Sequence, residues 1–180
     1  MDYIWLIVIM IVIVLALLGI FVIHIYNKYQ FAIIKIDEAE NNISLLLEKK
    51  LDFLSRLVPL LKENTKDETN DFEKVLLLKS KKMNDFELND QLKKQMRELH
   101  RILDNHPDLE QIEAIVKIEE ELYENEDDLD AVQKYYNDNV VIYNKLGKCF
   151  PSNIIGLFCH YKNKKFYSEE KEEMFEILKK

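Results

Sequence analysis

A chain of 180 residues with 33 acidic and 25 basic side chains carries a formal net charge of −8, the wrong sign for holding nucleic acid. Three glycines and three prolines among abundant Leu, Ile, Glu and Lys point to helix nearly throughout, an all-α fold. Cys149 and Cys159 are too few for a disulfide framework and imply reduced thiols in a cytoplasmic compartment.

The first element is a membrane anchor, residues 1–26. Tyr3 to Ile23 contain no charged side chain. At ~1.5 Å per residue they reach about 31 Å, enough to cross a hydrocarbon core of roughly 30 Å. A cleaved signal peptide fits less well, because Met1-Asp2 is not basic, the apolar run is too long and no A-x-A site follows. Tyr3 and Trp5 at one end, and Ile25, Tyr26 and Tyr29 at the other, suit the two interfaces. Lys28 and Lys35 flank only the C-terminal side and Asp2 the other. The positive-inside rule therefore puts the N-terminus outside and the body in the cytoplasm.

No helix breaker separates the anchor from a cytoplasmic helical body, residues 27–150. Ile36, Ala39, Ile43, Leu47, Leu51, Leu54, Val58 and Leu61 recur in steps of three and four, close to a coiled-coil seam. Pro59 predicts a kink or the last turns, and Asn64-Thr65-Lys66-Asp67 the end. Phe72, Val75, Leu76 and Lys79 suggest a short helix closing near Met83. Asn84 or Asp85 caps the next, whose apolar face is Leu88, Leu92, Met96, Leu99 and Leu103. A single helix over 67–104 is the alternative. Asn105-His106-Pro107-Asp108 reads as a turn, opening a long helix from about Asp108 to Leu146. Its stripe holds Ile112, Ile115, Ile118 or Glu119, Leu122, Leu129, Val132, Tyr136, Val140 and Tyr143. Gly147 is placed as its C-cap.

The tail, residues 151–180, combines apolar and basic segments. Ser152 is expected to cap a short helix carrying Ile154, Ile155, Leu157 and Phe158. Lys162, Lys164 and Lys165 follow. Apolar beside basic is the composition of an interfacial membrane or partner contact. Four cytoplasmic helices, up and down, return this tail to the bilayer, whereas three leave it at the far tip, and a plain cover for the bundle end is the third reading. Ser168 is expected to cap a last amphipathic helix with Met174, Phe175 and Ile177 on one side.

Candidate chemistry is sparse. Glu119 to Asp130 holds eight acidic residues in twelve, read as a solvated face or as a dock for Lys93, Arg97 and Arg101. No Glu-x-x-His motif supports a di-iron site. His100 and His106 lack ligand partners and read as surface or cap residues, and His160 is merely adjacent to Cys159. Phosphate loops, nucleophile elbows and H-E-x-x-H are absent from the sequence. The pairs Tyr136-Asn137 and Tyr143-Asn144, seven apart, read as core tyrosines with register-fixing asparagines, or else as a recognition surface. No catalytic residue, metal, cofactor or small-molecule substrate is expected.

Tyr26-Asn27, Ile36-Asp37-Glu38-Ala39, Leu47-Glu48-Lys49-Lys50, Asp52-Phe53-Leu54 and Leu57-Val58 come in order, then Pro107-Asp108-Leu109 and Glu120-Glu121-Leu122. Tyr136-Asn137-Asp138, Tyr143-Asn144, Phe150-Pro151-Ser152-Asn153-Ile154-Ile155 and Phe166-Tyr167 complete the series. This ordered set resembles the LemA family of bacterial membrane proteins over roughly residues 20–62 and 104–167, while 63–103 departs from it. Ser55 stands where the family often has proline. The resemblance implies an antiparallel, up-and-down four-helix bundle tethered by one N-terminal transmembrane helix, and no settled activity. Some relatives are linked to organising internal bacterial membranes, and their genes often neighbour those of membrane zinc proteases. Two functions are therefore expected of the chain. One is a non-enzymatic scaffold or adaptor at the cytoplasmic membrane, whose partners are the lipid bilayer and itself or another membrane protein. The other is an accessory or regulator of a membrane-embedded enzyme such as a zinc protease.

Overall fold

The computed structural model describes residues 2–65, 72 and 74–167. Among these the elements are α1 (Asp2–Thr65), α2 (Lys74–Ser80), α3 (Asp85–Asn105), a 3-10 turn (Pro107–Gln111), α4 (Glu113–Lys148) and α5 (Ser152–Phe158), with no strand. The helix expected after Ser168 lies outside the described residues. Two compact units divide the chain: residues 1–38 with 136–180, and residues 39–135. Helices α1 and α4 each contribute to both.

Helix α1 contains no interruption at the end of the anchor, and it passes Pro59 to end at Thr65. In its last turn the Asn64 and Thr65 side chains donate back to the carbonyls of Leu60 and Leu61 (2.7 Å each), sharing acceptors already used by the helix backbone. Up to Ile23 its large apolar side chains are exposed on every side. From Ile25 onward one stripe is buried. In the first unit it comprises Ile25, Tyr29, Ala32 and Ile36, and in the second Ala39, Ile43, Leu47, Leu51, Leu54, Val58 and Leu61. Burial of one such side chain contributes about 1.5–3 kcal/mol, against about 0–1 for an exposed ion pair, so the stripe sets the packing.

In the second unit α1 meets α4 through Lys50 to Glu126 (2.9 Å) and Arg56 to Glu121 (3.4 Å). Partner numbers rise on α1 as they fall on α4. Ser44 donates to Asp85 at the start of α3, and Lys79 of α2 reaches Asp52 (3.0 Å). Helix α3 pairs with α4 through Gln133 donating to Asn89 (3.0 Å, buried) and through His100 stacked on Tyr123. The α4 core stripe is Ile115, Ile118, Leu122, Asn125 and Leu129, then Gln133, with Val132 only half-buried.

The expected break between two helices is present: residues 81–84 separate α2 from α3, and the Asn84 side chain accepts from the Glu87 N–H as N-cap (3.0 Å). Several other expectations are corrected. Leu88 and Leu103 are half-buried, and Asn89 and Ile102 take the core places beside them. Pro107 opens a separate 3-10 turn, because Ile112 is extended (φ −94, ψ 100) and α4 begins only at Glu113. The acidic run sends Glu121 and Glu126 to Arg56 and Lys50 on α1, while Arg101 closes on Glu98 in its own helix (2.7 Å).

Lys50 is the costly member of this core, since its side chain is 1% exposed and Glu126 is its partner. Removing one member of a buried pair strands the other, at about 3–5 kcal/mol when both are fully buried. Glu126 stays 31% exposed, which lowers that figure. Glu126→Gln is expected to cost about 2–3 kcal/mol, and Lys50→Met, of similar volume, less than 1. Thermal unfolding of the full chain in detergent checks the order, and equal losses would refute this account of the pair.

Candidate functional site

The first unit brings the C-terminal segment against the part of the chain that leaves the anchor. Asn144 on α4 makes two bonds to the backbone of one tail residue. Its Nδ2 donates to the Lys164 carbonyl (2.9 Å) and its Oδ1 accepts the Lys164 N–H (3.0 Å). The same Oδ1 accepts from the Tyr161 hydroxyl (3.1 Å). Two turns earlier, Asn137 Oδ1 accepts the Tyr167 N–H (2.9 Å) and the Tyr136 hydroxyl donates to the Lys165 carbonyl (3.0 Å). Residues 161–167 have no repeating structure of their own, so these α4 side chains satisfy backbone groups that a loop leaves bare. The tyrosine–asparagine pairs are thus a clamp for the tail.

Aromatic rings close the gap between clamp and anchor. Tyr29 and Tyr143 meet edge to face (5.9 Å), Tyr143 meets Tyr161 (5.2 Å), and Tyr136 meets Tyr167 (5.0 Å). The Tyr29 hydroxyl is buried with no hydrogen-bond partner. Burial above all, then Cys159 and Tyr143, pushes its pKa up to about 12. Tyr161 rises to about 12 as well, by burial first and then by Tyr143 and Tyr29.

Gly147 is not a left-handed C-cap. It lies inside α4, with no glycine at positive φ among the described residues, and a Cβ there would strike the Tyr161 ring. Gly156 of α5 is tight for the same kind of reason, since its Cβ would lie 2.7 Å from the Tyr29 hydroxyl. Both glycines are needed for close approach. Ser152 does not cap α5 either. It is the first helical residue, and its hydroxyl donates to the Cys149 carbonyl (2.8 Å). His160, φ 52, turns the chain after α5 in the left-handed region.

Tyr3 and Trp5 are exposed, like the other large apolar side chains up to Ile23. Ile25 instead opens the buried stripe, so it faces protein and not lipid. Tyr26 lines an apolar cleft of about 370 Å³ with Val22, Ile23, Ile154, Ile155, Phe158 and Cys159, which brings α5 beside the end of the anchor. Ile154, Phe158, Lys162 and Lys165 are exposed. Ile155 is buried, and Lys164, part-covered, reaches Asp37 (3.7 Å). Phe150 and Leu157 were missing from the predicted contact residues. With Phe158 they are each 80% exposed, and the signal in the sequence was three large apolar side chains within nine residues of Pro151.

Among the described residues the regular structure is helical throughout, and one helix is long and apolar enough to cross a membrane, with none of its most apolar stretch (mean hydropathy 3.6) buried, the build of a membrane-associated helical protein. The LemA family model matches residues 39–177, and the chain belongs to the LemA family. No curated protein and no solved structure matches it.

Two measurements test the clamp. Gly147→Ala overpacks the Tyr161 contact and is expected to cost about 1–3 kcal/mol, with amides 161–167 exchanging faster than those of α3. Uniform acceleration across the chain would count against a local clamp. In an ultraviolet titration, Tyr29 and Tyr161 are expected to ionise near 12 in the folded chain and near 10 in denaturant. The folded pKa is the higher, so the stability tied to these phenols is complete below pH 10 and is lost as pH rises toward 12.

Proposed function

We propose that this LemA-family chain is a non-enzymatic scaffold at the bacterial cytoplasmic membrane, single-pass, with its N-terminus outside and its helical body in the cytoplasm. The observation that carries the reading is α1 itself. One unbroken helix passes from an apolar run exposed on all sides to a one-sided buried stripe at Ile25, so the anchor and the packed body are a single element. A helix of that form transmits position from the bilayer to a packing surface. The opposed numbering of the α1–α4 and α3–α4 contacts supports an antiparallel, up-and-down four-helix arrangement in which α2 is the short member.

Charge supports the orientation. In the described part of the first unit beyond the apolar run, lysines stand at Lys28, Lys35, Lys145, Lys148, Lys162, Lys164 and Lys165, against the carboxylates of Asp37, Glu38 and Asp138. An excess of lysine beside a membrane span marks the cytoplasmic side. Phe150, Leu157 and Phe158 are exposed apolar side chains that a bilayer surface would cover, in keeping with α5 beside Val22, Ile23 and Tyr26.

The working surface of such a scaffold is another copy of the chain or a membrane protein held by helix packing. In-cell crosslinking from a photoreactive residue at exposed Lys93 or Lys134, read by mass spectrometry, tests this. Adducts dominated by the chain itself are expected. One heterologous membrane enzyme recovered in constant ratio, with activity that changes when this chain is removed, would replace the scaffold with a regulator.

A further inference from the structure

The first unit holds a second depression, an open groove of about 420 Å³ between α1 and the last turns of α4. Its floor is Phe31, Ala32, Ile142 and Leu146, with Phe31 and Ile142 more than half exposed. Its rim is Lys28, Lys35 and Lys145. All three lysines are exposed, and among the described residues none of them has a carboxylate partner. Lys28 and Lys35 stand two turns apart on one face of α1, ~10 Å along the axis. A site with an apolar floor and three unpaired ammonium groups fits a ligand that is both anionic and apolar.

Position selects the source of that ligand. Lys28 follows Ile23, the last residue of the uncharged run, by five residues, ~8 Å along the helix. That is the depth of the headgroup layer, which extends roughly 5–8 Å beyond the hydrocarbon on each side. Cys149 and Ser152, where α5 begins, also line the groove, and α5 shares the apolar cleft with Val22, Ile23 and Tyr26. The groove thus opens at the level where a bilayer surface would meet the protein.

We infer that this groove holds an anionic phospholipid of the surrounding bilayer. Lys28 and Lys145 take the phosphate, and the headgroup beyond it runs over Phe31 and Ile142 toward Lys35, whose ammonium donates to its hydroxyl groups. Lysines at a membrane surface attract anionic lipid, and a cleft with apolar walls turns that diffuse attraction into retention of a single molecule. The inference rests on the membrane-anchored orientation proposed above, and not on self-association.

The test uses the full chain in nanodiscs of phosphatidylcholine with a minor share of phosphatidylglycerol, followed by native mass spectrometry of lipid retained after release. Preferential retention of one phosphatidylglycerol is expected, falling about fivefold for each of Lys28→Gln, Lys35→Gln and Lys145→Gln. Lys162→Gln with Lys165→Gln, in the nearby tail, should leave retention within twofold. Equal losses in the tail variant, or equal retention of phosphatidylcholine, would overturn the groove in favour of diffuse attraction. Displacement by soluble glycerophosphate would overturn the lipid in favour of a small-anion site. Failure of the chain to enter nanodiscs at all would overturn the anchor and this inference with it, whereas insertion without lipid preference overturns this inference alone.

Discussion

Everything in the described chain is arranged around a helix that is not allowed to break. From Asp2 to Thr65, α1 first presents apolar side chains on all sides and then, from Ile25, on one side only. The change of pattern, not a turn, marks where the exposed apolar run gives way to a packed stripe. Its cause is backbone satisfaction. In hydrocarbon every N–H and C=O must be paired within the segment, so a helix that continues past the interface needs no cap there. Ile25 then packs on protein within one turn of Ile23. The transition is abrupt because a one-sided stripe can start at any residue, while a loop would need several.

A stripe of this kind specifies that helices pack, but much less which register they adopt. Leucine slides past leucine at little cost, whereas a polar group buried off register loses its partner. Lys50 with Glu126, and Asn89 with Gln133, occupy otherwise apolar faces and meet only in one alignment of their helices. Each trades stability for a unique arrangement, the role best attested for polar core residues. Asn125, whose Oδ1 is buried without a partner, shows the same placement without the compensation.

Legibility in the sequence follows from this division. The α1 stripe from Ile36 to Leu61 was readable residue by residue, because apolar spacing is a local property. The break between α2 and α3 was half-readable, since Asn84 is a good cap yet a single helix over 67–104 has the same apolar period. Lys50, Asn89 and Gln133 were unreadable as core members, because nothing local separates a buried polar side chain from an exposed one. Gly147 misled for a related reason. Glycine near the end of a helix signals a C-cap, but here its missing Cβ makes room for Tyr161, and Tyr161 comes from a segment whose path no local pattern predicts.

The tail depends on the same logic one level up. Residues 161–167 have no helix of their own to satisfy their peptides, so they borrow partners from α4, chiefly both faces of Asn144. That dependence fixes where α5 lies. The clamp holds the chain beyond α5, Gly147 and Gly156 let it approach closely, and α5 is left beside the end of the anchor with Phe150, Leu157 and Phe158 bare. Three large apolar groups exposed together destabilise a protein surface in water, by roughly 1.5–3 kcal/mol each relative to burial. Two asparagines, two tyrosines and two glycines hold them in that place, and on the function proposed above the bilayer surface is the environment in which the cost disappears.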